Sequence, residues 1–469
     1  MPVASIIQNI KENHCEFVDL RFTDTRGKEH HITVPAASID ESTFSEGKAF
    51  DGSSFEGWQS IENSDMLLMP DPDSFVMDPF RKRVTSILRC TVYDPRRKQP
   101  YEFGPRSTAL RAEAYLKSTG LADSAIFGPE NEFFIFDKVH FETKMNSCFY
   151  SVDSGEAAWN SGNQEDYDGL GYHTRIKGGY FPVPPVDSNA DLRSEICHYL
   201  QQIGIPVEVH HHEVATGGQS EIVTKFDTLV KKADQIQIIK YVAHNVAHQN
   251  GKTITFMPKP LVGDNGSGMH CHQSLMLNGK NIFSGNIYAG LSQTALYYIG
   301  GIIKHGKALN AFTNASTNSY RRLVPGFEAP IYLSYSSQNR SAAIRIPHFL
   351  NPQATRIEVR FPDATMNPYL GFSAMLMAGL DGIRNKIDPG AAVDKNLYEL
   401  PKAESKKIPA VCYSLANALE YLDQDHDFLI EGGVFTPAEI ERYIHLKMQD
   451  VTRSRMSTHP VELEMYYDL

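Results

Sequence analysis

The sequence is poor in the features that mark secreted, membrane-spanning or nucleic-acid-binding chains. Six cysteines are scattered over 469 residues (Cys15, Cys90, Cys148, Cys197, Cys271 and Cys412), and none forms a C-x-x-C pair. That argues against a disulfide scaffold and for a reducing compartment. No apolar run approaches the ~20 residues a bilayer demands, so no membrane partner is expected. The first 14 residues hold only two adjacent isoleucines, Ile6 and Ile7, before charged and amide side chains. They lack the apolar centre of a secretory leader, and a cytoplasmic location is expected. Basic residues are outnumbered, 45 against 56 acidic, for a net charge of −11. Such a balance speaks against nucleic acid as a partner and suits a site that gathers cations. Familiar motif strings also break. Gly251-Lys252-Thr253 ends like a phosphate-binding loop, but its first glycine would fall at Val246. His212-Glu213 opens like a zinc-protease motif, but the closing histidine position is Thr216. No G-x-S-x-G elbow is present.

What remains is an ordinary globular composition, 41% hydrophobic and 22% charged, long enough for about two to three domains. Apolar spacing predicts a first helix at 3–13. Val18, Leu20 and Phe22 alternate with Asp19 and Arg21, which predicts a half-buried strand with a hairpin partner at Ile32 and Val34. Further strands are expected at 65–69 and 84–93. The polar stretch 94–104 carries Pro95 and Pro100 and reads as a boundary, giving a domain at 1–103 and another at 104–469. Beyond it, helices are expected at 106–118, 187–203, 226–249, 289–310, 367–386, 414–422 and 436–449. Strands are expected at 132–137, 253–257, 269–277, 343–346 and 355–361. Residues 146–176 read as a long polar excursion. The class is α+β: a small β-rich N-terminal domain, then a large domain with an antiparallel sheet and helices, not a parallel doubly wound sheet.

Four clusters carry chemistry. Glu130 and Glu132 in Gly128-Pro129-Glu130-Asn131-Glu132 stand at i and i+2, on one face of a strand, where a cation would offset their repulsion. In His210-His211-His212-Glu213, alternation puts Glu213 with His211 and away from the other two; a Gly217-Gly218 turn would bring Glu221 back towards it. His270 and His272 follow small residues in Gly266-Ser267-Gly268-Met269-His270-Cys271-His272. Glu358 sits between apolar neighbours, with Arg356 and Arg360 on its face. Each cluster alone reads as an ordinary polar strand or ion pair. Together they give five glutamates and a histidine, an oxygen-rich set for Mg²⁺ or Mn²⁺ rather than zinc. Arg322, Arg340, Arg345, Arg356 and Arg360 crowd the same C-terminal stretch and suit anionic substrates, phosphate above all. Divalent metals with arginines are the ingredients of phosphoryl transfer.

These strings, with Asp51-Gly52-Ser53-Ser54, NSYRRLVPGFEAP at 318–330 and NRSAAIR at 339–345, resemble bacterial type I glutamine synthetase, in that family's order and over essentially the whole chain. The resemblance implies ligation of ammonia to L-glutamate at the expense of ATP, through a γ-glutamyl phosphate. It implies a β-grasp-like N-terminal domain, a C-terminal catalytic domain, and a homo-dodecamer of two stacked hexameric rings with active sites between adjacent subunits. By the same resemblance, Glu132, Glu213 and Glu221 hold one metal, and Glu130, His270 and Glu358 another. Asn265, Gly266 and Arg322 bind glutamate, with Arg360 at its reacting end. Glu208, Thr224, Lys225, Phe226, His272, Gln273, Ser274, Gln353 and Arg356 line the nucleotide site, and Arg340 and Arg345 face the phosphate. Asp51 takes a proton from ammonium in the neighbouring subunit's site, Tyr180 helps to bind ammonium, and Glu328 closes a flap. Tyr398, in DKNLYELP at 394–401, resembles a tyrosine modified by an adenylyltransferase. The segment 456–469 resembles a helical thong that inserts into the opposite ring. Gln353 departs from the lysine common in the family, which puts ATP affinity in question; Asn131 replaces a common proline. Two other readings remain: a ligase joining glutamate to a polyamine or other amine, and an inactive ring-forming homologue. Asp51 with Tyr180 speaks against the first, and the filled metal positions against the second.

Overall fold

The computed structural model describes residues 2–59, 63–162, 170–337, 339–458 and 460–469. The first helix, Val3–Glu12, buries Ile6 and Ile10. It packs on a sheet whose strands run in the order Glu29–Pro35, Phe17–Thr23, Thr85–Asp94, Asp65–Pro70 and Lys48–Asp51. The expected hairpin is there, with Leu20 opposite Ile32 and Val18 opposite Val34. The strand Phe17–Thr23 is not half-buried, however. Asp19 and Arg21 are as buried as Val18 and Leu20. The polar face is covered by the helix Leu229–Gln249: the Arg21 guanidinium lies 3.9 Å from the centre of the Tyr241 ring and also pairs with Asp78 at 3.1 Å. Satisfied charges can be buried where unsatisfied ones cannot.

The larger sheet runs in the order Val207–His212, Gln219–Thr224, Ser124–Phe136, Cys271–Leu277, Ile357–Val359, Ala342–Ile346, Tyr332–Ser337. It is antiparallel except for its last pair, which is parallel. The strand Ser124–Phe136 is longer than the expected 132–137 and changes partners midway. Its first half pairs with Cys271–Leu277, its second with Gln219–Thr224. Gly128-Pro129 marks the change: proline has no N–H to donate to a ladder. Glu130 and Glu132 therefore stand where the sheet forks.

Helices cover the other face. Gln293–Thr313 and Pro368–Arg384 meet backbone to backbone, because a Cβ on Gly301 would run into the Ala378 carbonyl. The excursion at 146–176 includes the strand Cys148–Asp153, which forms a hairpin with Lys138–Thr143; its residues 163–169 lie outside the described ones. The terminal helix Val461–Tyr466 turns back onto its own chain, with Leu463 and Tyr466 buried beside Met257. Among the described residues no helix is long and apolar enough to cross a membrane.

Candidate active site

The hairpin joining Val207–His212 to Gln219–Thr224 sets the first part of the site. Gly217 and Gly218 turn it at positive φ, and a Cβ on Gly218 would strike the Ile135 carbonyl. His211 then faces Glu221, and Glu221 faces Glu132, across three strands. His211 Nε2 lies 3.1 Å from Glu221 Oε1, and its Nδ1 lies 3.7 Å from Glu213 Oε1. His212 points the other way, 2.8 Å from the buried Glu156 carboxylate. The alternation read from the sequence is thus observed.

The second part comes from Glu130, His270 and Glu358. His270 Nδ1 lies 3.0 Å from Glu130 and 3.8 Å from Glu358. Two trios result, Glu130–His270–Glu358 and His211–Glu213–Glu221, each with ligand atoms within 4.8 Å of one another. Glu132, expected with Glu213 and Glu221, lies between the trios. Its Oε2 accepts the Gly268 N–H at 2.9 Å, and its Oε1 is 3.9 Å from His270. His211 takes its place in the trio. Gln219 is on the same strand face as Glu221 and donates to Glu132 at 3.3 Å. Strand parity carried the signal for both residues.

So many buried acids perturb one another. Burial, with Glu132 and Glu221 close by, pushes Glu213 up to about 9. Glu221 is raised by burial and by Glu130, Glu132 and Glu358. Burial also works against the Glu130 carboxylate, but hydrogen bonds from His270 and His272 hold it well below the usual range. An oxygen-rich, electrostatically unrelieved donor set fits hard divalent cations.

Both trios open into one cavity of about 520 Å³. Tyr180, Asn265, Gly266, Arg322, Glu328, Arg340, Arg345, Arg360 and Tyr398 line it, as do Phe327, from the string at 318–330, and Lys177, which no sequence pattern marked. Arg322 is buried, donating to the Phe361 and Arg360 carbonyls at 3.0 and 3.2 Å. Arg345 donates to Glu358 at 2.7 Å, and Arg360 donates to the Arg340 carbonyl at 2.7 Å. Asn265 Oδ1 and Arg345 Nε are buried without a hydrogen-bond partner among the described residues, the condition of groups that await a ligand. Glu328 sits at φ +58°, a strained position for a residue with a Cβ.

A second cavity of about 330 Å³ shares Glu130 with the first. Its polar lining is Glu208, Thr224, His272, Gln273, Ser274, Gln353 and Arg356; Ile126, Val223, Phe226 and Met276 supply apolar wall. His272 links Glu130, at 2.8 Å, to Arg356, at 3.3 Å, and Arg356 stacks on Phe349 at 3.8 Å. The Gln353 amide oxygen accepts from the Asn281 N–H at 3.2 Å. Lys225 does not line this cavity; its ammonium stands 6.0 Å from the Phe226 ring centre. Arg340 and Arg345 line the first cavity, not the second. Asp51 lines neither. It lies exposed at the end of Lys48–Asp51, its carboxylate accepting from Ser53 N and Oγ at 2.8 and 2.7 Å.

Comparison with known proteins accounts for this arrangement. The family profile described as glutamine synthetase, catalytic domain, matches residues 102–466. The profile for the glutamine synthetase β-grasp domain matches residues 14–95. A glutamine synthetase of Methylococcus capsulatus is 64% identical, over 100% of both chains. A 3-hydroxylaminophenol mutase of Cupriavidus pinatubonensis is 61% identical, over 100% of this chain and 99% of that one. Among solved structures, a Plasmodium falciparum glutamine synthetase superposes with a TM-score of 0.89 at 30% identity, covering 100% of this chain and 99% of that one. With α+β architecture, β-grasp domain and carboxylate-lined cavity in agreement, this chain belongs to the glutamine synthetase family.

Proposed function

We propose that the chain is a glutamate–ammonia ligase, converting L-glutamate, ATP and ammonia into L-glutamine, ADP and phosphate. One observation carries the reading: two carboxylate–histidine trios line one arginine-rich cavity, and one of them reaches a second, partly apolar cavity through Glu130. Such a junction is where a nucleotide's phosphates would meet a small acidic substrate.

The chemistry follows from charge. A carboxylate resists attack by ammonia because oxide would have to leave. Transfer of the γ-phosphoryl group of ATP to the glutamate side chain makes phosphate the leaving group instead. Two or more Mg²⁺ or Mn²⁺ ions, when bound to the trios, would neutralise the phosphates and the charge that develops on transfer. Asn265, Gly266 and Arg322 hold the glutamate backbone, with Arg360 at the γ-carboxylate. Arg340 and Arg345 face the moving phosphoryl group. The second cavity takes the nucleoside, through Glu208, Thr224, Phe226, Ser274 and Arg356. Tyr180 helps to form the ammonium site. Asp51, which lines neither cavity of its own chain, would serve the site of an adjacent subunit as the base that frees ammonia. Glu328 closes the site against water, which would hydrolyse the acyl phosphate.

Further parts of the reading are a dodecamer of two hexameric rings and adenylylation of Tyr398, which rest on family resemblance; the division of the chain at 103/104, which rests on the polar stretch 94–104; and a cytoplasmic location, which rests on resemblance and on the sequence pattern. Tyr398 lines the first cavity. A nucleotidyl group there would add bulk and negative charge beside an anionic-substrate site. The mutase relative and the polyamine-ligase alternative define the competing assays.

The test is phosphate release from ATP, Mg²⁺ and glutamate, with ammonium or putrescine as acceptor, and a separate incubation with 3-hydroxylaminophenol. Ammonium-dependent release that collapses in Asp51→Ala is the expected result. Release with putrescine alone, or turnover of 3-hydroxylaminophenol without ammonium-dependent release, would overturn it.

A further inference from the structure

The flap that carries Glu328 is held by two lysines. Phe327 lies close to the ammonium groups of both. The Lys259 Nζ is 3.9 Å from its ring centre and the Lys177 Nζ is 4.4 Å from it. Lys177 also donates to the Gly326 carbonyl at 2.7 Å. The two lysines come from different segments but share one anchor. Asp264 Oδ1 accepts the Lys177 backbone N–H at 3.1 Å, and the Asp264 carbonyl accepts from Lys259 Nζ. Asp264 Oδ2 accepts the Thr216 N–H at 2.8 Å, which ties the same anchor to the turn of the carboxylate hairpin. Lys259 is itself fixed to Asn318, whose Oδ1 accepts its N–H at 2.7 Å.

Gly326 at φ +89° and Glu328 at φ +58° bend the flap, and a left-handed glutamate persists only where its surroundings impose it. Phe327, between them, offers the ring that a cation can hold.

We propose that Lys177 and Lys259 form a latch that holds Phe327 and thereby positions Glu328 over the reacting centre. The lysines are positioning residues in this scheme, since they act through Phe327 and the Gly326 carbonyl. The proposal rests on the ligase reading for its consequence but not for its existence. An open flap would let water take the place of ammonia at the acyl phosphate, returning glutamate and phosphate and spending ATP.

Lys177 is exposed, so Lys177→Met removes the charge and the donor with little threat to folding; Lys259→Met and Phe327→Leu test the other sides. Hydrogen exchange of the flap amides at 324–329, measured without substrates, is expected to speed up about tenfold in Lys177→Met and to return towards the parent rate in Lys177→Arg. Steady-state assays are expected to show ammonium-independent phosphate release rising about tenfold relative to ammonium-dependent release, with the KM for glutamate little changed. Unchanged exchange in all three variants would overturn the latch. A change confined to the KM for glutamate would also overturn it, because the lysines would then act as direct contacts to substrate charge. If the parent chain releases no ammonium-dependent phosphate, the ligase reading fails, while the exchange experiment still decides whether the latch exists.

Discussion

His211 and Glu132 divide the chemistry that the sequence assigned to a trio of glutamates. The imidazole touches Glu221 at 3.1 Å, whereas Glu132 is engaged by the Gly268 N–H. If the trios hold cations as proposed, His211 acts on one of the two sites, either as a ligand or as the group that orients Glu221. His211→Asn is therefore expected to weaken Mn²⁺ binding at one site by about 10- to 100-fold and to spare the other, as read by titration of the metal-free protein. Equal weakening of both sites, or of neither, would contradict this assignment. In the nucleotide cavity, Gln353 spends its amide oxygen on the Asn281 N–H. Gln353→Lys adds a positive charge to the cavity proposed for the nucleotide and is expected to lower the KM for ATP about fivefold, kcat remaining within about twofold. Most residues of the site could be read beforehand because strand parity and motif identity both pointed to them. The meeting of Lys177 and Lys259 with Phe327 could not, although Phe327 lies within the string at 318–330. Their role depends on a ring and two ammonium groups brought together from positions 177, 259 and 327, and no local pattern encodes that meeting.

The helix Pro437–Met456 shows how an element can tune its own stability. Thr436 caps it, its Oγ1 accepting from the Glu439 N–H at 3.1 Å. The Glu439 carboxyl is buried against the helix Pro105–Thr119, accepting from Thr108 Oγ1 at 2.6 Å and from Arg111 at 3.1 Å. Burial outweighs Arg111 and pushes the carboxyl up to about 7, from 4.5. The folded chain therefore keeps a proton that the unfolded chain releases above pH 4.5. Stability is favoured below that pH and is lost as pH rises through about 7, by up to roughly 3 kcal/mol for this group. Glu439→Gln is expected to flatten the dependence of the urea midpoint on pH between about 5 and 8; a slope equal to the parent's would remove Glu439 from the account. Elements with clear periodicity, such as Leu229–Gln249 and Pro368–Arg384, matched their expected spans closely. The strand Tyr332–Ser337 escaped notice because serines interrupt its apolar residues, and its parallel partner Ala342–Ile346 supplies the pairing. The first half of Ser124–Phe136 was hidden by Gly128-Pro129, residues that ordinarily break strands and here sit where pairing changes sides.

On the scale of the whole molecule, the position of Asp51 is the strongest argument for assembly. If Asp51 is the base that frees ammonia, it has to reach the ammonium in the site, yet this carboxylate lines neither cavity of its own chain. Family resemblance assigned Asp51 to the neighbouring subunit's site; composition and spacing alone could not, because a closed ring is a property of surfaces that meet only between copies. If adjacent subunits share sites, Asp51→Ala and Arg340→Ala damage opposite halves of each one. Each variant alone should be inactive. In co-expressed rings with random composition, about a quarter of the sites would join an intact Asp51 from one copy to an intact Arg340 from the next. Phosphate release at about a quarter of the parent rate is the expected outcome for the mixed rings. Asp51 acting within its own chain predicts no recovery at all, since no subunit in the mixture would then hold both residues.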